Sequence, residues 1–430
     1  MCHKEAMDKY LNFDLEITKR TTQYQARVIA SPNGEARHLF DFPFEQRELE
    51  QYTNKLANTR SFILNDDNSD TQPSSTEAIA KEIRDFGTKL FDAVFQRTVS
   101  EVYRESKVTA KNKNAGLRIR LRFPENPELI NIPWEYLFDS RSDVFLSLSG
   151  NTSIVRYMEL SIAVKQMQIT PPLKILVISS NPKDYPLLNV EKELNKLQQA
   201  LTPLEKKKRV KFEYIEHATL RKITTALDEN SFHIIHFIGH GDFNHQRKEG
   251  VLVIEDDDGY GLQVSSHRVA TIFQSSDVSR LIVLNACEGG ITSKENIFSG
   301  VAQSVVKKGV PAVLAMQYVI TDKSAIVFSE IFYCALSKGS PIDTSLSMAR
   351  LAIYNQPNEI EFATAALYMR SKTGRLFGKD KKKFQLPDDK FIEEKTPAKI
   401  TLAIFIVTTI ALLASTTLAF GLYNILLGLI

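Results

Sequence analysis

The chain has 430 residues, of which 43% are hydrophobic and 24% are charged, and its formal net charge is +3. This length allows two domains and a tail, and the composition is that of a globular protein rather than a disordered one. The small net charge does not favour nucleic acid as the main partner, so we expect no direct nucleic-acid binding.

The three cysteines, Cys2, Cys287 and Cys334, are too few and too scattered for a disulfide framework or a thiolate zinc site. This usage favours a reducing compartment. The first residues carry no apolar segment of signal-peptide length, so export is not expected.

Residues 1–168 are predicted to form a mixed α+β domain. The segments FDLEITK and YQARVIAS, and then HLFDFPF after an SPNG turn, predict strands, and so does LRIRLRF. Apolar periodicity predicts helices over 45–56 and 76–105. No catalytic motif lies here, and this domain is the candidate sensor or partner domain.

Apolar strand-type runs alternate with helical patterns between residues 172 and 378. Strands are predicted at 173–179, 210–215, 232–238, 281–285, 312–317 and 365–369, and a hairpin at 251–264. Helices are predicted at 190–201, 219–227, 297–308, 322–336 and 341–354. Such alternation predicts an α/β fold with a mostly parallel six-stranded sheet and helices on both faces.

Two of these strands end in small residues beside one reactive side chain. HIIHFIGHG ends at His240 and Gly241, and LIVLNACEGG contains Cys287. Because chemistry collects beyond the carboxyl ends of parallel strands, neighbouring strands would bring the imidazole and the thiol together. The thiolate would be the nucleophile, and the imidazole would take its proton and return it to the leaving amine. The amides of Gly241 and Cys287 are the predicted oxyanion-hole donors.

A structural role and a zinc site are the alternatives to catalysis for these residues. Taken singly, Cys287 would be a small core residue and His240 a hydrogen-bonded loop histidine, but their position at two consecutive strand ends favours chemistry. A zinc site from His233, His236, His240 and His245 is disfavoured, because His233 and His236 point to opposite faces of a strand. We therefore expect no metal and no cofactor.

The motifs HIIHFIGHGDF, LIVLNACEGG, GVPAVLAMQYVITD and ATAALYMRSKTGRLFG together resemble the CHAT domain. This is a bacterial branch of the caspase-like, clan CD cysteine peptidases, related to separase. The resemblance spans residues 172–378, and YQARVIASPNG, GLRIRLRF and PWEYLFD resemble the domain that often precedes it. It implies a caspase-like α/β/α sandwich, with His240 as general base, Cys287 as nucleophile and Gly241 as an oxyanion donor. It also implies regulated proteolysis, including bacterial defence and programmed cell death, often switched on by a partner protein or a nucleic-acid complex.

Two departures limit what the resemblance implies about specificity and activation. Many relatives that cut after basic residues carry an acid two residues before the cysteine, where this chain has Asn285. Asn285 is therefore a candidate residue of the substrate pocket that does not support a preference for arginine or lysine. Asp322 is either an acid near the substrate pocket or the cap of the helix that starts there, and both interpretations stay open. No period of 34 residues is present, so the sensor is expected to be the N-terminal domain or a separate protein.

Residues 400–430 contain no charged residue, and 400–420 alone is long enough to cross a bilayer. The whole stretch is too short for two spans, so one tilted transmembrane helix is predicted. The absence of a polar face at helical spacing disfavours a buried core helix. The linker 379–399 is rich in lysine, which predicts that the soluble domains face the cytoplasm. With the bacterial origin that the resemblance implies, we expect a single-pass protein of the bacterial inner membrane.

The favoured hypothesis is a membrane-anchored cytoplasmic caspase-like cysteine endopeptidase that acts on a protein substrate. The alternative is a non-catalytic, membrane-tethered signalling scaffold that retains the peptidase fold. A third hypothesis makes the tail itself an oligomerising helix that disturbs the membrane. The first hypothesis predicts that Cys287→Ala abolishes cleavage, and the second predicts no cleavage and no loss of function in that variant.

Overall fold

The computed structural model describes residues 9–66, 74–124, 127–161, 164, 166–275, 278–291, 297–318, 320–356 and 359–379. Within these ranges, the side chains at 57–66, 74–76, 127, 286–291, 297, 359 and 379 lie outside the described part. The predicted span at 400–430 also lies outside it, together with residues 380–399 of the linker. Among the described residues, no helix is both long enough and apolar enough to cross a membrane.

The described residues of the first part of the chain form three strands, then three helices, and then four strands with one short α-helix among them. Its elements are β1 (Tyr10–Lys19), β2 (Tyr24–Ala30), β3 (Ala36–Phe40), α1 (Gln46–Asp66), α2 (Ser74–Val94), α3 (Arg97–Asn112), β4 (Gly116–Arg122), α4 (Pro127–Ile130), β5 (Phe138–Asp139), β6 (Val144–Phe145) and β7 (Thr152–Tyr157). The strands predicted from FDLEITK, YQARVIAS, HLFDFPF and LRIRLRF are confirmed as β1 to β4.

The second part has the α/β alternation that its sequence predicts. Its elements are β8 (Met167–Ile169), β9 (Leu173–Ser179), α5 (Val190–Lys206), β10 (Val210–Ile215), α6 (Leu220–Glu229), β11 (Ile234–Asn244), β12 (Glu249–Glu255), β13 (Gly261–Ser265), α7 (Ser266–Gln274), β14 (Leu281–Ile291), α8 (Ile297–Lys307), β15 (Ala312–Met316), α9 (Asp322–Ser337), α10 (Ile342–Tyr354), β16 (Ala365–Met369) and β17 (Phe377–Lys379).

The single helix predicted over 76–105 is wrong, because the chain forms two helices, α2 and α3. Gln96 is extended between them, with φ −111° and ψ 161°. The break lets aromatic side chains of both segments meet in one buried cluster. The ring of Phe95 lies 4.5 Å from that of Phe91 and 4.8 Å from that of Tyr103. Packing of this cluster therefore outweighs the continuous helical periodicity of the sequence.

The six strands predicted in the second part are neighbours in space, in the order β10–β9–β11–β14–β15–β16. The first five run parallel, and β16 is antiparallel to β15. This confirms a mostly parallel arrangement of those strands. The predicted size of the sheet is wrong, however, because β16 also pairs with β7 and the sheet contains 13 strands in the part of the chain that the structure describes.

Strands from both predicted domains thus share one sheet. Beyond β16 the order is β7–β4–β1–β2–β3, while β12 and β13 extend from β11 as the predicted hairpin. The register of the joint pairs Tyr368 of β16 with Arg156 of β7. The division of the chain near residue 170 stays a prediction.

Alternate side chains of the parallel strands pack against two separate layers of helices. On β9, Leu173, Ile175 and Val177 belong to one core with side chains of α5, α9 and α10. Leu176 and Ile178 belong to a second core with side chains of α6, α7 and α8. Period-two burial on both faces is the pattern of a strand covered by helices on each side.

Buried ion pairs connect the two parts of the chain. Arg118 of β4 donates to Asp343 of α10 at 2.8 and 3.1 Å, and both side chains are almost completely buried. Arg156 of β7 donates to Glu135 at 2.7 Å and to Gln317, just after β15, at 2.8 Å. Because such charges are costly to bury unless they are paired, these contacts fix how the strands and helices meet.

Candidate active site

β11 and β14 lie side by side and are longer than predicted, because they continue to Asn244 and Ile291. Both pass the carboxyl ends of the flanking strands β9 and β15 at the level of His240 and Cys287. In the register of this parallel pair, Gly239 is the partner of Ala286. His240 follows the first of these residues and Cys287 follows the second. Sheet register therefore brings the backbones of the predicted base and the predicted nucleophile to the same place.

The glycine before the histidine is required by close packing at this edge. A Cβ at Gly239 would lie 2.7 Å from Cζ of Phe237 and 3.1 Å from the carbonyl oxygen of Ser180, at the end of β9. The register of β11 against β14 also shifts between Gly239 and Gly241. This irregularity at His240 is of the kind that redirects a side chain at the edge of a sheet.

The imidazole of His240 is buried, with none of its surface exposed. Neither ring nitrogen makes a hydrogen bond of good geometry with a described residue. Burial lowers the pKa of His240, while the Pro186 carbonyl and the Asp242 carboxylate oppose this shift. A lowered pKa keeps the ring neutral near pH 7, which is the form that can accept a proton.

A tyrosine from the loop after β9 packs against this imidazole. The ring centroids of Tyr185 and His240 are 5.3 Å apart, with 46° between the ring planes. The Tyr185 hydroxyl donates to Asp242 at 3.2 Å, and the Gln263 amide donates to Asp242 at 2.9 Å. Asp242 thus holds the tyrosine that contacts His240.

The loop that carries Tyr185 is fastened to the tip of the β12–β13 hairpin. The amide of Lys183 donates to the carbonyl of Gly259 at 3.0 Å. The amide of Gly261 donates to the carboxylate of Asp184 at 2.7 Å. The predicted hairpin is confirmed, and its position beside His240 gives it a structural role at this edge.

Cys287 lies in β14 by its backbone, but its side chain lies outside the described residues. Asn285, two residues earlier, is half-buried and is the register partner of Ile238. Gly241 is the register partner of Leu252 in β12 and of Ile291 in β14. The roles of Cys287, Gly241 and Asn285 in catalysis and substrate binding stay predictions.

Asp322 is the first residue of α9, and Thr321 is the N-cap residue before it. The Asp322 carboxylate lies 2.5 Å from Nζ of Lys192 and 2.6 Å from Nζ of Lys196, both in α5. Partial burial would raise the pKa of Asp322, but hydrogen bonds to these two lysines outweigh burial and lower it. The carboxylate therefore joins α5 to α9, and its assignment to a substrate pocket stays a prediction.

The other histidines of the zinc alternative have separate surroundings. Nδ1 of His233 accepts a hydrogen bond from the amide of Lys174 at 2.8 Å, and Nδ1 of His236 lies 2.6 Å from the Tyr333 hydroxyl. Burial lowers the pKa of each of these two histidines to about 4, with Lys174 adding to the effect at His233. His245 is exposed and packs against Phe243. Over the described ranges, no group of three or more metal-ligating side chains could hold an ion.

A cavity of about 240 Å³ lies elsewhere, between α2, α3 and the turn after β5. Phe91, Tyr103, Lys107 and Asp139 line it. None of the predicted site residues lines this cavity, so we do not assign the active site to it.

The sequence did not predict the surroundings of His240. Tyr185 and Pro186 lie in a polar segment, NPKDYPLLN, whose only signal was its position after a buried strand. Asp242 is two residues beyond His240, and Gln263 reaches it from β13. These contacts depend on the fold, and no spacing in the sequence indicates them.

Comparison with known proteins gives a family for the chain. A sequence model of the CHAT domain matches residues 84–382, which is well over half of the chain. No curated protein matches the sequence.

Two solved structures are similar to this chain at low sequence identity. One chain of the separase–securin complex of Saccharomyces cerevisiae is 9% identical, with a TM-score of 0.47 over 84% of this chain and 30% of that chain. The Arg-specific cysteine proteinase gingipain R is 12% identical, with a TM-score of 0.40 over 69% of this chain and 75% of that chain. The present chain thus spans about 30% of the length of the separase-complex chain that it matches. Because the CHAT sequence model matches well over half of its residues, the chain belongs to the CHAT domain family.

Proposed function

We propose that the protein is a caspase-like cysteine endopeptidase in which Cys287 is the nucleophile and His240 the general base. The observation that carries the proposal is the pairing of Gly239 with Ala286 on adjacent parallel strands. It supports an imidazole and a thiol at one edge of the sheet. Membership in the CHAT family supports the same assignment.

In the proposed reaction, His240 takes the thiol proton of Cys287, and the thiolate attacks the carbonyl carbon of the scissile peptide bond. The carbonyl oxygen becomes an oxyanion, for which the amides of Gly241 and Cys287 are the proposed donors. As the C–N bond breaks, the imidazolium gives its proton to the leaving amine and a thioester remains. A water molecule, deprotonated by His240, then hydrolyses the thioester and restores the thiol.

The environment of His240 supports a role as a base. Its lowered pKa leaves the ring neutral and ready to accept a proton near pH 7. Burial also excludes water, which strengthens the attraction between the imidazolium and the thiolate once the proton has been transferred. Asn285 gives no support for cleavage after a basic residue.

Cleavage is tested in cells that express the full chain together with its genomic neighbours. Intact-mass and fragment analysis compares the wild type with Cys287→Ala, and Cys334→Ala serves as a matched control in α9. We expect new fragments with the wild type and the control, and none with Cys287→Ala. Fragments that persist in Cys287→Ala would contradict the proposal, and identical patterns without cleavage would favour the scaffold hypothesis.

We further propose that residues 400–430 anchor the enzyme in a bacterial inner membrane, with the soluble part facing the cytoplasm. The uncharged tail and the lysines before it support this placement. The substrate is then a protein that reaches the membrane surface, and an activating partner protein or complex would switch the enzyme on in defence or cell death.

Anchoring is tested in the full chain by placing charge in the middle of the tail. Ile410→Arg with Leu413→Arg should release the protein from membranes washed with alkaline carbonate, because a charge near the bilayer centre costs about 3 kcal/mol. The control pair Ile410→Leu with Leu413→Ile should remain bound. Release of the wild type by the same wash would refute the anchor.

A further inference from the structure

A histidine that acts as a base must have its ring held in one orientation. In most nucleophile–base pairs a third group does this through a hydrogen bond to the second ring nitrogen. Here neither nitrogen of His240 makes a hydrogen bond of good geometry with a described residue, and the backbone group that acts on the ring is the carbonyl of Pro186, which follows Tyr185 in the same loop. The ring is nevertheless buried, so packing must contribute to its orientation.

Tyr185 is the aromatic neighbour that packs on the imidazole, with its centroid 5.3 Å away. The tyrosine is itself fixed at its far end. Its hydroxyl donates to Asp242 at 3.2 Å and accepts from the Gln263 amide at 3.4 Å. Burial raises the pKa of Tyr185, so the hydroxyl keeps the proton that it donates.

The hairpin backbone is shaped to admit this ring. A Cβ at Gly261 would lie 2.4 Å from Cε2 and 2.7 Å from Cδ2 of Tyr185. A glycine at this position therefore lets β13 approach the ring face. The amide of the same glycine donates to Asp184, next to Tyr185 in the chain. The tyrosine is thus held by side chains and by the backbone of the hairpin.

We propose that Tyr185, anchored by Asp242 and Gln263, is a positioning residue that orients the imidazole of His240 toward Cys287. The proposal rests on the peptidase function proposed above. It gives the loop after β9 and the β12–β13 hairpin a defined task, which is to hold the general base. Tyr185 from this loop and Asp242 from β11 are the charged or titratable groups that face His240 among the described side chains.

The test measures how fast iodoacetamide alkylates Cys287 in the full-length protein, by peptide mass spectrometry across pH 5 to 9. The readout needs no substrate. His240→Ala defines the loss expected when the base is absent. Tyr185→Ala removes the ring, Tyr185→Phe removes only the hydroxyl, and Gly261→Ala pushes on the ring from the hairpin. Tyr260→Ala is the matched control, since that tyrosine lies at the hairpin tip and is 53% exposed.

We expect Tyr185→Ala to slow alkylation near neutral pH by up to about 30-fold, because a cysteine with the usual pKa of about 8.5 is only about 3% thiolate at pH 7. Its pH profile should move toward the value of about 8.5 that is typical of a free cysteine. Gly261→Ala should have a similar profile, Tyr185→Phe an intermediate one, and Tyr260→Ala that of the wild type. Urea unfolding of each variant separates this effect from loss of the fold.

Three outcomes would overturn the proposal in distinguishable ways. If His240→Ala slows alkylation but Tyr185→Ala and Gly261→Ala do not, His240 acts without help from Tyr185. Faster alkylation in Tyr185→Ala would make the tyrosine a cover over the base rather than a support. If His240→Ala leaves the rate unchanged, the proposed dyad itself fails, and the positioning role fails with it.

Discussion

Gly239 of β11 and Ala286 of β14 are register partners just beyond the level at which the flanking strands β9 and β15 end. The next residues along the two strands are His240 and Cys287. In parallel strands, residues at the same level come from distant parts of the sequence and meet only when the sheet forms. This one pairing is the observation on which the proposed nucleophile–base pair rests.

Replacing the glycine at this position should damage the site. Gly239→Ala places a Cβ 2.7 Å from Phe237 and 3.1 Å from the Ser180 carbonyl, so β11 or β9 has to move. We expect the free energy of unfolding to fall by about 1–3 kcal/mol, as is usual for overpacking, and alkylation of Cys287 to slow. Urea unfolding and the alkylation rate check both effects.

The control for that variant is Gly150→Ala, because no heavy atom lies within 4 Å of a Cβ at Gly150. It should leave the unfolding midpoint and the alkylation rate of Cys287 close to those of the wild type. Equal effects of the two substitutions would show that close packing at Gly239 does not shape the edge.

The pair Arg118–Asp343 should stabilise the joint between β4 and α10. Both side chains are 1% exposed, and Asp343 also accepts from Ser153 at 2.8 Å. Asp343→Ala leaves a buried guanidinium without its partner, so we expect unfolding to become easier by about 3–5 kcal/mol. The double variant Arg118→Met, Asp343→Leu should recover most of this loss. Urea denaturation, followed by a probe in each half of the chain, measures the free energy of unfolding of both variants.

The exposed pair Lys211–Glu213 is the comparison for that experiment. Glu213→Ala should change the stability by less than about 1 kcal/mol, as is typical of surface ion pairs. If Asp343→Ala were equally mild, the buried pair would not hold the two parts of the chain together.

His236 should make the protein less stable in acid. Burial lowers its pKa from 6.5 to about 4 in the folded state. Between these two pH values the unfolded chain binds a proton that the folded chain does not. The contribution of neutral His236 to the free energy of unfolding is therefore fully present above pH 6.5 and is lost as the pH falls through about 4. The full effect is about 3 kcal/mol for a shift of this size.

The histidine is tested by replacing it with a side chain that does not titrate. His236→Gln should flatten the fall in unfolding free energy between pH 7 and pH 4, whatever its effect at neutral pH. His245→Gln, at an exposed position, should leave the slope as it is in the wild type. An unchanged slope in His236→Gln would assign the acid sensitivity to other groups.

Secondary structure was predicted best for strands whose side chains are buried on both faces of the sheet. The apolar runs that became β9, β11 and β14 were placed correctly because a strand covered on both faces has few polar residues. The sequence did not predict the order of these strands in the sheet, although the α/β alternation predicted that they would be parallel. The candidate pair followed from chemistry at strand ends, and its side-chain geometry stays a prediction for Cys287.

The errors have physical causes in particular residues. The break between α2 and α3 falls at Gln96, where no glycine or proline marks it, and is set by packing of Phe95 with Tyr103. Strand β7 was not predicted, because its six residues include Arg156, a buried charge that is tolerated only beside Glu135. Helix α7 was also not predicted, although Ser265 caps it by accepting from the amide of Arg268.

The most direct test of the central claim is chemical cross-linking of the proposed dyad. A bis-electrophile with three carbons between its leaving groups can bridge a thiol and an imidazole only when the two lie within a few ångströms. Treatment of the full-length protein, followed by peptide mass spectrometry, should give one bridged product that joins Cys287 to His240. The product should be absent from His240→Ala and unaffected by Cys334→Ala. Alkylation of Cys287 without any bridge to His240 in the folded wild type would contradict the account.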